Sequence, residues 1–265
     1  MHVELTVENR EIKMDFGYDE TFLADVSTRI MMQQRAGCEP EMVCLMARIL
    51  QEGDVVVDGG ANIGFFTIMM AKLVGPTGRV LAFEPGENNL AKLRENIAMN
   101  NLDNVEVFDV ALWHRNNHAL EFFLSEDSGA NSIWRSEMSV SKTVVTAVKL
   151  SDYWRDRQRR IKLIKLDIEG SEQHALEGAY IHLGMKVPYI VCELNSLALQ
   201  RLGHTQGTLR KFMLQFGYDM FLLHDNGALP TFVPVTSVVE PSAINTNVLF
   251  STAPKVAEAW PIVRV

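Results

Sequence analysis

The stretch that most restricts what this chain can become runs from Val55 to Met70. Three β-branched residues, Val55, Val56 and Val57, lead into Asp58, and Gly59, Gly60 and Gly64 follow directly. Phe65, Phe66, Ile68, Met69 and Met70 then continue in a helical register. A strand that ends in glycines and opens a helix aims backbone N–H groups and the positive end of the helix dipole at the turn. Glycine also lets a ligand come close to the main chain there. This feature predicts an open α/β sheet with its ligand at the carboxyl end of the first core strand.

Strand and helix patterns alternate from that point on. Strand-like runs fall at residues 54–58, 79–84, 104–109, 161–167, 189–193, 218–223 and 247–251. Helical spacing occupies 64–74, 87–100, 171–183 and 208–216. Together they predict a doubly wound, mostly parallel seven-stranded sheet with right-handed crossovers. The last two strands, separated by a Pro/Gly loop, suggest one antiparallel strand at the edge. Residues 110–150 are looser, with strands at 119–124 and 143–150 around a loop at 128–132. Partial alternation over residues 1–16 predicts a hairpin, and two Met-rich helices follow, over 19–34 and 40–50. Residues 1–53 therefore read as an N-terminal strand/helix extension, 54–251 as the main domain and 252–265 as a C-terminal tail.

Composition limits the function classes. A net charge of −8 argues against broad binding to nucleic acid, which needs a basic footprint. Arg155, Arg157, Arg159 and Arg160 form the one dense basic cluster, open to reading as a solvated helix end or a phosphate site. No run approaches the roughly 20 apolar residues of a membrane span. Met1-His2-Val3-Glu4-Leu5 lacks the pattern of a signal peptide. Three cysteines without a C-x-x-C pair suit a reducing compartment, so the chain is expected to be cytoplasmic.

The candidate site residues are acids. Asp58, Glu84, Asp109, Asp167 and Glu193 each close a predicted strand, which gathers like charges along the rim where ligands of such sheets bind. Crowded carboxylates need a cation or hydrogen-bond donors to compensate them. Taken singly, any of them could instead cap a helix or pair with Lys or Arg. Glu84, twenty residues beyond Gly64, sits where an acid accepts hydrogen bonds from the ribose hydroxyls of an adenosine. That spacing alone also fits NAD. The loop, however, reads Asp58-x-Gly60-x-Asn62-x-Gly64, and an acid at the strand end would repel a diphosphate. It would attract the ammonium of S-adenosylmethionine.

The segment Val57 to Gly64, with Phe83-Glu84-Pro85 after it, resembles the cofactor motifs of Rossmann-like class I S-adenosylmethionine-dependent methyltransferases. Ile164-Lys165-Leu166-Asp167-Ile168-Glu169-Gly170-Ser171-Glu172, continuing to Ala179, is similar to the signature of the FkbM-type family within them. Asp109-Val110-Ala111-Leu112 and Asn247-Val248-Leu249-Phe250 resemble weaker family motifs. The resemblance implies O-methylation of a hydroxyl on a small molecule or saccharide, with S-adenosylhomocysteine as product. By position, it places Asp58, Gly60, Asn62 and Gly64 against the methionine part. Glu84 and Pro85 fall at the ribose, Asp109 and Val110 beside the adenine, and Asp167 near the transferable methyl.

Methyl transfer to an alcohol needs alignment and a base. Asp167 is the first candidate for that base, with Glu193, Glu169 and His174 behind it. Glu169 serves equally well as a helix-terminal acid, and His174 as a packed or surface histidine. Asn195 and Trp134 are candidate substrate contacts, Trp134 as a cover over the acceptor or as a packed surface residue. Asp167, Glu193 and Asn195 could hold a divalent cation, but the same acids are already needed for cofactor and base, so no metal ligand is assigned. His114 and His118 lie i, i+4 in a predicted turn, which disfavours a zinc pair. The N-terminal helices are a possible homodimer contact. Competing readings are an RNA or protein methyltransferase, an NAD-dependent oxidoreductase and a non-catalytic domain. The place of the N-P-P-[YF] segment common in base methylation holds Asp167-Ile168-Glu169-Gly170 instead.

Overall fold

A computed structural model describes residues 2–7, 10–15, 39–125, 131–135, 139–154, 159–224, 227–237 and 246–261. The hairpin is β1 (His2–Val7) and β2 (Arg10–Asp15), followed by α1 (Pro40–Ile49). The helix expected over residues 19–34 lies outside the described residues. Next come β3 (Val55–Gly59), α2 (Phe65–Val74), β4 (Arg79–Phe83), α3 (Glu87–Met99) and β5 (Val105–Phe108). An excursion follows through β6 (Ala111–Leu112), β7 (His118–Ser125), β8 (Ser139–Val148) and α4 (Leu150–Tyr153). The sheet resumes with β9 (Ile161–Leu166), α5 (Glu172–Gly178), α6 (Tyr180–Gly184), β10 (Tyr189–Leu194), α7 (Ser196–Arg201) and α8 (Gln206–Gln215). β11 (Asp219–Leu222), β12 (Thr231–Phe232), β13 (Thr246–Ser251) and α9 (Ala253–Ala259) complete the description.

The main sheet runs β12-β11-β13-β10-β9-β3-β4-β5. From β10 to β5 all pairings are parallel, as the alternation of strands and helices requires. Three expectations are corrected. Among the described residues eight strands join the sheet rather than seven, because the two-residue β12 adds to β11. The antiparallel strand expected at the edge over 247–251 is not there: β13 lies between β10 and β11 and bonds both, and the edge is taken by β12, antiparallel to β11. Its Val248, Leu249 and Phe250 are buried, which suits a sheet interior and not an exposed edge. The helix expected over 171–183 is also broken in two, at Ala179.

Side chains of a strand alternate between faces. Val56, Val80, Leu163, Val191 and Leu249 meet α1 and α2 in one core that also takes in Ile12 and Met14 of β2. Val55, Val57, Leu81, Ile164, Ile190 and Val248 face a second core with residues of α5 and α8. The apolar side of α1 is thus spent inside the chain. Parity decides the site as well. Asp58, Lys165, Asp167 and Glu193 share the parity of Val56, Leu163 and Val191, so all four fall on the α1/α2 side, around the middle of the sheet.

The hairpin is tied to α3 by two asparagines that imitate a neighbouring strand. Asn100 Oδ1 accepts from Lys13 N at 3.0 Å and its Nδ2 donates to Lys13 O at 2.7 Å. Asn96 accepts from Asp15 N at 2.7 Å and donates to Ile63 O at 2.8 Å, which reaches the glycine loop itself. Among the described residues no helix is long and apolar enough to cross a membrane.

Candidate active site

The glycine loop closes on the next strand rather than opening its donors outward. Gly60 N and Ala61 N both donate to Phe83 O, at 3.0 and 3.1 Å. Asn62 N donates to Glu84 Oε2 at 2.9 Å, and Gly64 N to Ala61 O at 2.9 Å. Glycine is required at two of these positions. Gly60 has φ 77°, and a Cβ there would stand 1.9 Å from Asp167 O; Gly64 has φ 99° and would meet Leu93 Cδ1 at 2.6 Å. The N–H groups of Gly60, Ala61, Asn62 and Gly64 are therefore used within the fold. Toward the cleft the loop carries the Asn62 side chain, an acceptor and a donor together. Asn62 Oδ1 is buried with no hydrogen-bond partner.

Glu84 is nearly covered, 4 % exposed. Its Oε1 accepts from Gly86 N at 2.8 Å, opposite the bond from Asn62 to Oε2. Burial pushes its carboxyl up to about 7 against these donors. Asn89 Nδ2 also donates to Oε1, at 3.5 Å, so the lone pair left for a further donor is on Oε2. The cleft over it is lined by Gly60, Asn62, Phe83, Pro85, Val110, Leu112, Phe122 and Ile133, together with Asp167, Ile168 and Glu169. Its walls are largely apolar with a few convergent acceptors, the usual composition of a small-molecule site.

The predicted residues separate into groups. Gly60, Asn62, Glu84, Pro85, Val110, Asp167 and Glu169 line the cleft. Asp58 does not: it is fully buried beneath the loop, where Oδ2 accepts from Thr67 Oγ1 at 2.6 Å and Oδ1 lies 3.5 Å from Lys165 Nζ. Gly64 acts as the N-cap of α2, and Asp109 is exposed beyond the end of β5, leaving its neighbour Val110 to reach the cleft. Asn195 caps α7, accepting from Ala198 N at 3.1 Å. Trp134 Nε1 donates to Glu169 O at 2.9 Å and its ring lies under Arg201, 4.8 Å away. Residues 126–130 of the loop before it lie outside the described residues. Arg159, of the basic cluster, donates to the Gly53 and Thr77 carbonyls, at 3.0 and 2.6 Å.

Lys165 was not among the candidates, yet it organises this half of the site. It is 3 % exposed and stands 3.5 Å from Asp58 and 3.3 Å from Asp167, with Phe66 5.1 Å below. Burial alone would lower its ammonium, but Asp167, Asp58 and Glu39 outweigh that and raise it. A lysine inside the apolar run Ile161–Leu166, two residues before an acid on the same face, was the available signal. Glu39, at the start of α1, is a second addition. Burial and the nearby Asp167 push it up to about 7, and its Oε2 accepts from Asn247 Nδ2 at 2.7 Å.

Beyond Lys165 the carboxyls of Asp167, Glu169 and Glu193 gather with oxygens within 4.8 Å of one another. Burial first, then the charges of Asp167 and Glu169 and a hydrogen bond with Asp167, raise Glu193 far above the ordinary carboxylate range. Such a shift keeps Glu193 protonated at neutral pH. The turn carrying Glu169 is fixed from below. Glu172 Oε1 accepts from Ile168 N and Gly170 N, both at 3.2 Å. Glu169 has φ 51° and Gly170 φ 96°, and a Cβ on Gly170 would press into the Ala198 backbone at 2.5 Å.

The mixed, mostly parallel sheet, with an acid beyond β4 facing a glycine loop, is the arrangement of class I methyltransferases. Residues 58–220 match the Methyltransferase FkbM domain, and the chain belongs to that family. Methyltransferase 1 of Beauveria bassiana (strain ARSEF 2860) is 24% identical over 143 residues, covering 46% of this chain and 57% of that protein. An arsenite methyltransferase of Halobacterium salinarum (strain ATCC 700922 / JCM 11081 / NRC-1) is 33% identical over 90 residues, 34% of this chain and 22% of its own length. The chain thus matches little more than half of the first relative and less of the second. The crystal structure of Methyltransferase FkbM from Methylobacillus flagellatus KT superposes with a TM-score of 0.49 at 18% identity, over 88% of this chain and 55% of that one.

Proposed function

We propose that the chain transfers a methyl group from S-adenosylmethionine to a hydroxyl oxygen of a small molecule or saccharide. The observation that carries this reading is the inversion of the glycine loop. The N–H groups of Gly60, Ala61 and Asn62 are taken by Phe83 and Glu84, and the cleft offers the carboxyl groups of Glu84, Asp167 and Glu169, which suit hydroxyls and an ammonium and repel a diphosphate. The unpartnered Asn62 Oδ1 is one acceptor in want of a donor. The carboxylate of Glu84, anchored by two main-chain N–H groups, would take the ribose hydroxyls, and Phe83, Val110 and Leu112 would flank the adenine. When bound, the cofactor supplies a methyl group made electrophilic by its sulfonium.

The chain's own part is alignment and proton removal. Asp167, beside a Glu193 that burial and the neighbouring acids keep protonated, would accept the hydroxyl proton as the new bond forms. Lys165 keeps that carboxylate in place from behind. Glu169 lines the cleft where an acceptor would enter, and Trp134, next to the lining residue Ile133, is held by the Glu169 carbonyl.

Thermal-shift titration tests the cofactor assignment. S-adenosylhomocysteine at about 100 times its Kd should stabilise the fold by roughly 2.7 kcal/mol, a rise of several degrees. Stabilisation by NAD(H) with none from S-adenosylhomocysteine would reject the proposal. Methyl transfer to an amine while every hydroxyl acceptor stays inert would reject the oxygen specificity.

A further inference from the structure

A cluster of nitrogen ligands lies on the far side of the signature turn, outside the cleft. Trp113 and His114 follow β6, and α5 approaches them closely because a Cβ on Gly178 would stand 2.0 Å from Trp113 O. His174 and Glu177, three residues apart, share one face of α5. That approach puts His114 Nδ1 3.1 Å from His174 Nδ1, and Glu177 Oε2 3.7 Å from the same nitrogen. The three ligand atoms all lie within 4.8 Å of one another. Ligands about 2.0–2.1 Å from a tetrahedral zinc ion stand roughly 3.3 Å apart, so these separations bracket what such an ion needs.

We propose that His114 Nδ1, His174 Nδ1 and Glu177 Oε2 form a site for a divalent transition metal, zinc being the best fit. Two imidazoles and one glutamate, with a further position open to water, are a donor set that zinc accepts. The surrounding bonds orient these ligands as a metal site requires. His204 Nε2 stands beside both nitrogens of His174, 3.2 Å from Nε2 and 3.5 Å from Nδ1, with the rings at 71°, and so supports that imidazole from the side away from His114 by contact. Glu177 Oε1 accepts from Gln173 Nε2 at 3.2 Å, and Gln173 Oε1 in turn accepts from Thr208 Oγ1 at 2.9 Å. This leaves Oε2 to the metal. The Trp113 ring packs on the His174 ring with centroids 3.8 Å apart and covers one side.

Neutral imidazole is the form that binds such an ion. Because α5 begins at Glu172, which holds the turn bearing Glu169, a metal here would fasten that turn to the end of β6. Its role is structural support of the cleft and not a step in the reaction.

The rival arrangement is a metal-free chain of hydrogen-bonded imidazoles, and cobalt distinguishes the two. Full-length, untagged protein stripped with a chelator is titrated with Co²⁺, then back-titrated with Zn²⁺ against a chromophoric chelator. The proposal expects one equivalent with the visible absorption of four- or five-coordinate cobalt, displaced by zinc. His114→Ala should lose at least about 100-fold in affinity, and Glu177→Gln and His204→Ala about 10–100-fold. S-adenosylhomocysteine binding by each variant verifies its fold, and partly exposed Glu177 keeps the test valid if a histidine variant fails to fold. No cobalt spectrum in the wild type overturns the proposal. So does affinity unchanged in His114→Ala and Glu177→Gln, or affinity lost instead in Glu193→Gln, which would place the ion at the acid cluster.

Discussion

The two ends of the cleft solve the same problem, a buried carboxylate, by opposite means. At the Glu84 end the partners are main-chain N–H groups of Asn62 and Gly86, which neither titrate nor leave. At the Asp167 end the partners are ionisable: Lys165 on one side, Glu193 and Glu169 on the other. Fixed dipoles make a rigid receptor that is set before the ligand arrives. Coupled acids make a place where a proton can be stored and moved at small cost. On the function proposed above, the difference separates holding from reacting along one cleft.

If that division is right, substitutions at the two ends should fail differently. The largest effect is expected for Asp167→Asn, a fall in kcat of about 10²–10⁴-fold while the Kd for S-adenosylhomocysteine stays within about tenfold. Single-turnover kinetics with binding measured alongside would show it. An equal loss in affinity would move Asp167 to the holding end. Lys165→Met should cost about 3–5 kcal/mol in denaturant unfolding, because it strands the fully buried Asp58 with only Thr67.

Glu84→Gln should weaken cofactor binding by about 1.5–3 kcal/mol and leave the turnover of bound substrate nearly unchanged. The pH response sharpens the same point. With Glu84 raised to about 7 by burial, the native state holds a proton that the unfolded chain has released by about pH 5. The contribution of Glu84 to stability is therefore full below that pH and declines as pH rises through 7. Cofactor affinity runs the other way, since the charged form is the better acceptor. Affinity should fall by up to about tenfold from pH 8 to 6. Calorimetric titrations should show the slope in the wild type and none in Glu84→Gln.

The smallest effect is expected for Asn195→Ala. Loss of the cap on α7 should lower stability by about 1 kcal/mol. A several-fold rise in the acceptor KM beyond that would restore Asn195 as a substrate contact.

Much of this was written in the sequence where periodicity and chemistry agree. The Val55–Val57 run, the glycines and Glu84 led to the cleft because a strand end and a turn have strict local requirements. What escaped was set by neighbours distant in the chain. Asp58 read as a ligand contact, but its parity turns it inward to Thr67 and to Lys165, its partner in the β3–β9 register. Lys165 passed as one letter of a signature because burial of an ammonium is decided by three separate elements. His114 was set against His118, its neighbour in sequence, whereas the fold pairs it with His174, sixty residues on. The place of β13 was hidden for the same reason: alternation identifies a strand and says nothing of which gap it fills.

That gap has a consequence for how the molecule is assembled. β10 must wait for a partner that lies roughly fifty residues later in the chain, with Cys192 opposite Val248. During synthesis, β10 and β11 therefore present bare, apolar edges side by side until β13 slides between them. Proteolytic nicking ahead of Thr246, or a stalled ribosome, would leave both edges open to the wrong strand. Aggregation of such fragments, and not gradual loss of function, is the failure to which this topology exposes the chain.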